Sequence, residues 1–354
     1  YNVTVGDEAG TAITTGDNNV AVGMDALKAT TTSSNNVAIG KGALAANITG
    51  EKNVAIGSAA LDANTTGDKN VAVGNSALGS MNVTDGSETF NTAVGADAGK
   101  AVTTGIFNTL VGGLAGDALT EGTRNVAFGK DALTADTKGS RSTAIGFATL
   151  LSQNFTSVTD AYNVAVGEQA GLNVTTGIKN VLIGGLAGDS TTTGSNNVAL
   201  GMSALDSNTT ASNNTGLGYR AGFSNTTGTL NTFVGNDSGY AMTTGSKNTI
   251  LGRYNGNSNG LDIRTASSNI VLSDGDGNPR MFYKTATVNW NLVVPAASNN
   301  ALIVHNTAGS SPYGIQIDHD VDINNGSNHF IDAVGGSTSR FKVFTNGNVV
   351  NTNN

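Results

Sequence analysis

Short apolar triplets recur along this chain at a fixed interval. The phrase Asn-Val-Ala-Val-Gly, or a close variant, begins at Asn2, Asn19, Asn36, Asn53, Asn70, Asn91, Asn108 and Asn125. It continues with Ser142 in place of Asn, then at Asn163, Asn180, Asn197, Asn214, Asn231 and Asn248, and ends in degenerate form at Asn269. Successive starts lie 17 residues apart in twelve steps and 21 apart in three, so a single unit is repeated sixteen times. Counting each repeat from its Asn, the second to fourth positions, such as Val37-Ala38-Ile39, predict a short strand. Alternation puts the second and fourth side chains on one face, expected to line the interior. The third is then expected to face away from it.

Glycine follows every triplet from Gly6 to Gly252, with Ser273 in the last copy. A glycine held at one register predicts a corner that needs positive φ or close backbone approach. Thr-Thr-Gly, as at Thr65-Thr66-Gly67, predicts the second corner. A unit with one strand and two turns cannot close a core alone, so the copies must stack. The expected fold is all-β, a parallel β-solenoid or β-roll of about 16 coils with a 17-residue repeat. At a strand spacing of about 4.8 Å the rod would be roughly 70–80 Å long. Asn36, Asn53, Asn70 and Asn197 then form a hydrogen-bonded ladder, and Gly40, Gly57, Gly74 and Gly201 a ladder of corners.

The third position is mostly Ala, as at Ala21, Ala38, Ala55 and Ala199, but Leu110, Leu182, Phe233 and Ile250 also occur. Facing outward, it would form an apolar stripe too long for a soluble monomer, which predicts a closed homotrimer. Composition narrows the chemistry. With no cysteine there is no disulfide, thiolate metal site or cysteine nucleophile. The net charge of −8 argues against nucleic acid as a partner. No run of about 18 apolar residues is present, which argues against membrane insertion.

The strings Asn36-Val37-Ala38-Ile39-Gly40 and Asn53-Val54-Ala55-Ile56-Gly57 resemble the Asn-Ser-Val-Ala-Ile-Gly signature of YadA-like trimeric adhesin heads. The longer period, with Ala-Leu and Thr-Thr-Gly, is similar to tail fibres of marine tailed phages, cyanophages in particular. So is the run from Ser268 to Met281. The resemblance implies a trimeric β-roll without enzymatic activity, left-handed in the adhesin heads. It also implies a virion location, a host-surface glycan or protein as receptor, and contacts to other tail or baseplate proteins through sequence upstream of Tyr1.

All three prolines, all three histidines and the only tryptophan lie beyond residue 275, so composition shifts there. The expected organisation is a rod over 1–252, a degenerate last coil and transition over 253–292, and a β-rich tip over 293–354. Residues 313–324 alternate as a half-buried strand, and Phe341 to Val350 reads as a hairpin about Asn346-Gly347. The ending resembles the run-up to a self-cleaving C-terminal chaperone of phage fibres, implying cleavage after Asn354.

Three four-residue expansions, at 79–90, 150–162 and 252–268, are candidate recognition loops. Trp290, Tyr254 and Tyr313 are candidate receptor contacts, since amphipathic aromatics serve binding surfaces. Asp274-Gly275-Asp276-Gly277-Asn278 begins like a calcium loop but lacks the downstream Glu, and reads as a turn. Asp318, Asp320 and Asp322 read as a solvated strand face, and His319 as a core histidine. No catalytic, cofactor or metal site is expected. The expected function is structural and adhesive: the distal part of a tail fibre that attaches to a host cell. The alternatives are a bacterial trimeric autotransporter adhesin head and, in another class, a polysaccharide depolymerase tailspike. The recurring Thr-Thr also raises ice binding, disfavoured because adjacent threonines point to opposite faces.

Overall fold

The computed structural model describes residues 1–287 and 289–292, together with the backbone of the strands His329–Gly335, Thr338–Phe344 and Val349–Asn351. Contacts divide the chain into two units, Tyr1–Val293 and Val294–Asn354. The first is a parallel β-solenoid. Three-residue strands, from Val3–Val5 to Thr249–Leu251, pair in parallel with each position aligned on its counterpart one repeat later. Val37 lies over Val54, Ala38 over Ala55 and Ile39 over Ile56. The 21-residue steps keep this alignment, as in Val71 over Thr92, so the four extra residues are absorbed elsewhere in the coil.

Inside and outside are the reverse of the expectation from alternation. The third-position residues Ala21, Ala38, Ala55 and Ala199 are fully buried, whereas Ile39 and Ile56 at the fourth position are more than a third exposed. A 17-residue coil encloses little volume. The interior already holds the Asn of the first position and the Ala-Leu pair of the eighth and ninth, as in Asn36, Ala43 and Leu44. Only a small residue fits between them, so the bulky β-branched side chains turn outward.

The exceptions follow from the same volume limit. Leu110, Leu182 and Phe233 occupy the third position and are fully buried. Each is flanked by glycine where other coils carry the ninth-position Leu. A Cβ on Gly99 or Gly116 would strike Leu110, on Gly171 or Gly188 Leu182, and on Gly222 or Gly239 Phe233. Large and small residues trade places between adjacent coils, which keeps the packing full. The ninth position is left-handed in both cases, with φ of 50° at Leu44 and 57° at Gly116.

The Asn ladder forms as the repeat suggests. Asn36 donates from Nδ2 to the Gly50 carbonyl at the second corner of its own coil (2.9 Å), and its Oδ1 accepts the backbone N–H of Asn53 (2.9 Å). The same pair of bonds recurs at Asn108 and Asn180, tying corner, strand and next coil together. At Ser142 the amide is missing and Gln153 supplies it. Gln153 Nε2 reaches Ser142 Oγ (3.0 Å) and Asp136 Oδ2 (2.7 Å), and its Oε1 accepts from Asn163 Nδ2 (2.8 Å). Asp136 is fully buried, and burial raises its pKa against hydrogen bonds from Gln153 and Gly139 that lower it.

Fifth-position glycines from Gly6 to Gly235 have φ between 127° and 142°, and an added Cβ would overlap the next corner, as Gly6 against the Gly23 carbonyl at 2.8 Å. At its C-terminal end the sheet changes direction. Ile270–Ser273 stacks in parallel on Thr249–Leu251, then Pro279–Lys284 and Asn289–Leu292 add antiparallel. Pro279 starts its strand, the place where a missing N–H costs least. In the second unit, His329–Gly335, Thr338–Phe344 and Val349–Asn351 form an antiparallel sheet, and the last two are the hairpin expected from 341–350. Its Asn346-Gly347 turn and the strand expected over 313–324 lie outside the described residues.

Two stability tests follow. Leu110→Ala should cost about 3–5 kcal/mol as a cavity between two glycines. Adding Gly99→Leu and Gly116→Leu should restore most of the loss in thermal midpoint, and no recovery would contradict the volume exchange. Asp136 is the pH test. Burial lifts its folded pKa above the ordinary aspartate value, so the fold holds the proton more tightly than the unfolded chain. That stability is complete below the unfolded value and is lost as pH rises through the folded one. Asp136→Asn, matching the buried Asn47 and Asn64 of other coils, should gain stability over the wild type as pH rises from about 4 to 7. A constant difference across that range would exclude the mechanism.

Candidate functional site

Turning the bulky residues outward gives the parallel sheet an apolar outer face. All sixteen fourth positions are Val, Ile, Leu or Phe, and all sixteen second positions are Val, Thr or Ile. Exposure is 56% at Phe128, 41% at Leu200 and 40% at Leu217 and Leu251. No charged residue interrupts either column. A solvated sheet face normally alternates with polar residues, so this pattern is that of a face made to be covered.

A second column runs through the positions just before each repeat Asn, where the backbone is left-handed, as at Lys69 (φ 61°) and Phe107 (φ 62°). Lys69 lies 4.9 Å from the Phe90 ring centroid, Phe90 stacks on Phe107 at 5.9 Å, and Arg124 covers Phe107 at 5.3 Å. One coil further, Arg141 covers Tyr162 at 5.4 Å and pairs with Asp160. Ring faces here are occupied by the next rung or by a cation. The column therefore reinforces the stack and leaves mainly ring edges for a ligand. The thirteenth-position threonines are spent in a similar way, Thr120 Oγ1 donating to the Thr137 carbonyl at 3.0 Å.

The first two expansions rejoin the coil through buried side chains, Met81 in one and Phe155 in the other. Their tips, Asp85-Gly86-Ser87 and Thr156-Ser157-Val158, remain at the surface. The third expansion shapes a concave site. It carries Tyr254, which is fully buried, its hydroxyl donating to the Leu261 carbonyl at 2.6 Å. Burial raises the pKa of this phenol. Tyr254 is thus a core residue and drops out as a receptor contact: its carbonyl accepts from the Gly239 N–H as that of Ser238 does from Gly222 one coil earlier, so it stands where other coils carry their inward eighth position. Trp290 is 56% exposed and tilts against Tyr283 at 5.5 Å. Tyr313, His319, Asp318, Asp320 and Asp322 lie outside the described residues.

Next to the expansion, the Asp274–Asn278 segment forms a turn. The Asp274 carboxylate accepts from the backbone N–H groups of Asp276 (3.0 Å) and Asn278 (2.9 Å) and from Arg280 Nε (2.8 Å). Hydrogen bonds from Asn278, with Arg280 added, hold its pKa well below the usual carboxylate range. The turn sits on the rod through Gly277, where a Cβ would come within 3.0 Å of the Arg253 carbonyl, and through Ser258 Oγ, which donates to the Gly277 carbonyl at 3.1 Å.

Rod, expansion and turn enclose a cleft of about 280 Å³ lined by Arg220, Asp237, Tyr240, Arg253, Asn255, Ser258, Asp276 and Gly277. Its back wall is rigid. Arg220 donates to Asp237 Oδ1 from Nε (2.8 Å) and from its terminal nitrogen (2.7 Å), and lies over both Tyr219 (4.7 Å) and Tyr240 (4.8 Å). Tyr240 in turn stacks on Phe223 at 5.1 Å. Repeat logic hid this cleft because its residues come from three successive coils and the closing turn. No single repeat position signalled it, since the equivalents of Arg220, Tyr240 and Arg253 in other coils also include large and charged residues such as Gln169, Phe223 and Lys130.

Among the described residues, no group of three or more His, Cys, Asp or Glu side chains is arranged to hold a metal ion. No family model matches this chain, and neither the curated proteins nor the solved structures contain a match to it.

Proposed function

We propose that this chain is the rod of a homotrimeric attachment fibre of the kind carried by tailed phages, non-enzymatic, displayed on the virion and bound to a host-cell surface. The observation that carries the reading is the unbroken apolar outer face. A column of Val, Ile, Leu and Phe runs through every coil beside one of Val, Thr and Ile, a longer apolar stripe than soluble monomers commonly leave uncovered. A rigid face repeated at about 4.8 Å is matched best by another face of the same pitch, and the nearest source is another copy of the chain. Three copies about an axis parallel to the rod bury all three faces and leave none to recruit further chains. The trimer number itself is taken from the resemblance to YadA-like heads in the Asn-Val-Ala-Ile-Gly strings. This places the interface on the fourth-position residues, in exchange for the alanines expected to form it.

A rod that keeps constant cross-section while its expansions vary suits a spacer that presents recognition surfaces at a distance. The bacterial adhesin head shares these features. Light scattering after size exclusion should give three times the 35.5 kDa chain mass. Leu200→Asp with Leu217→Asp should lower that mass or cause aggregation. A monomer that stays soluble at micromolar concentration would overturn the reading. For the attachment half, the labelled trimer should adsorb to some members of a bacterial panel that includes marine cyanobacteria. Shortening of their surface polysaccharide would favour a depolymerase instead.

A further inference from the structure

We propose that the cleft between the last coils and the Asp274–Asn278 turn is a binding site for one neutral sugar ring. This deepens the attachment half of the reading above and rests on it. The first argument is an unclosed charge pair. Arg253 and Asp276 line the same cleft, yet they form no salt bridge with each other. Arg253 makes one long contact, 3.7 Å to Asp237 Oδ2, and its side chain is 52% exposed. The Asp276 carboxylate accepts no hydrogen bond among the described residues, and neither does the Asn255 Nδ2 donate one. A donor fork, an amide donor and an acceptor carboxylate therefore face a common space.

A sugar hydroxyl both donates and accepts, so adjacent hydroxyls on one ring can bridge such a set, while a simple anion or cation would satisfy only half of it. The lining charges also cancel, Arg220 with Asp237 and Arg253 with Asp276, which removes any preference for an acidic sugar. Size sets the second limit. At about 280 Å³ the cleft lies near the lower end of ligand pockets, with room for a single ring.

Preorganisation is the third argument. The Arg220 and Asp237 pair and the stacked Tyr240 fix the back of the cleft, and Gly277 locks the turn that carries Asp276 against the Arg253 backbone. Little ordering cost is left for binding. The Asp-Gly-Asp-Gly-Asn sequence thus acts as a cleft wall: Asp274 holds the turn together and Asp276 lines the cleft.

Saturation-transfer NMR on the intact trimer, with glucose, galactose and mannose as probes and serine as a zwitterionic control, tests this. Ring protons of at least one hexose should show transfer. Arg253→Gln and Asp276→Asn should each weaken that response about tenfold, as expected for losing a charge-assisted bond, with thermal midpoints unchanged. No transfer to any hexose, a response to serine alone, or variants that bind as well as the wild type would overturn the assignment. Adsorption of the same variants to bacterial cells separates the two readings. Adsorption without hexose binding removes the sugar site and leaves attachment standing, whereas hexose binding without adsorption removes attachment alone.

Discussion

A closed coil of seventeen residues encloses too little volume for ordinary core packing, and most features of this rod descend from that limit. One inward strand side chain per coil must be small unless its neighbours shrink, so alanine dominates and Leu110, Leu182 and Phe233 appear only beside glycines. The ninth-position residue turns inward only by taking a left-handed backbone, which leucine accepts at some cost because the stack holds it there. With so little apolar area per coil, the interior also admits a polar ladder, provided that every member is satisfied.

That ladder is the second level of organisation. An asparagine offers one donor and one acceptor in fixed geometry, and the repeat uses both, one within the coil and one between coils. The substitution at Ser142 illustrates the rule. Ser142 still donates its backbone N–H to Asn125 Oδ1 in the coil below, but it lacks the amide that would serve its own coil and the next, and Gln153 brings a donor and an acceptor from a different position in the same coil. Asp136 is drawn into that repair and is left as a buried carboxylate, the main departure from a neutral core.

What the interior cannot hold must go outside. The large apolar residues required to make a good parallel strand are displaced to the outer face, where they form exposed columns repeated at the pitch of the stack. Departures from the repeat then become informative. Expansions that keep register add surface without disturbing the sheet, and the third one, meeting the Asp274–Asn278 turn, is where polar groups converge without being paired to each other.

The sequence by itself determined the period, the parallel stacking, the asparagine ladder and the glycine corners. Each depends on one residue type repeated at one register, and a local rule is enough to read it. It did not determine which strand face is interior. Val37-Ala38-Ile39 alternates equally well either way, and only the enclosed volume of the closed coil decides that Ala38 goes in. Tyr254 and the cleft were hidden for a related reason: burial of the first and assembly of the second depend on chain brought together from neighbouring coils and a returning turn. Contacts within a repeat are written in its letters. Contacts between an expansion and the cap of the sheet exist only once the stack has formed.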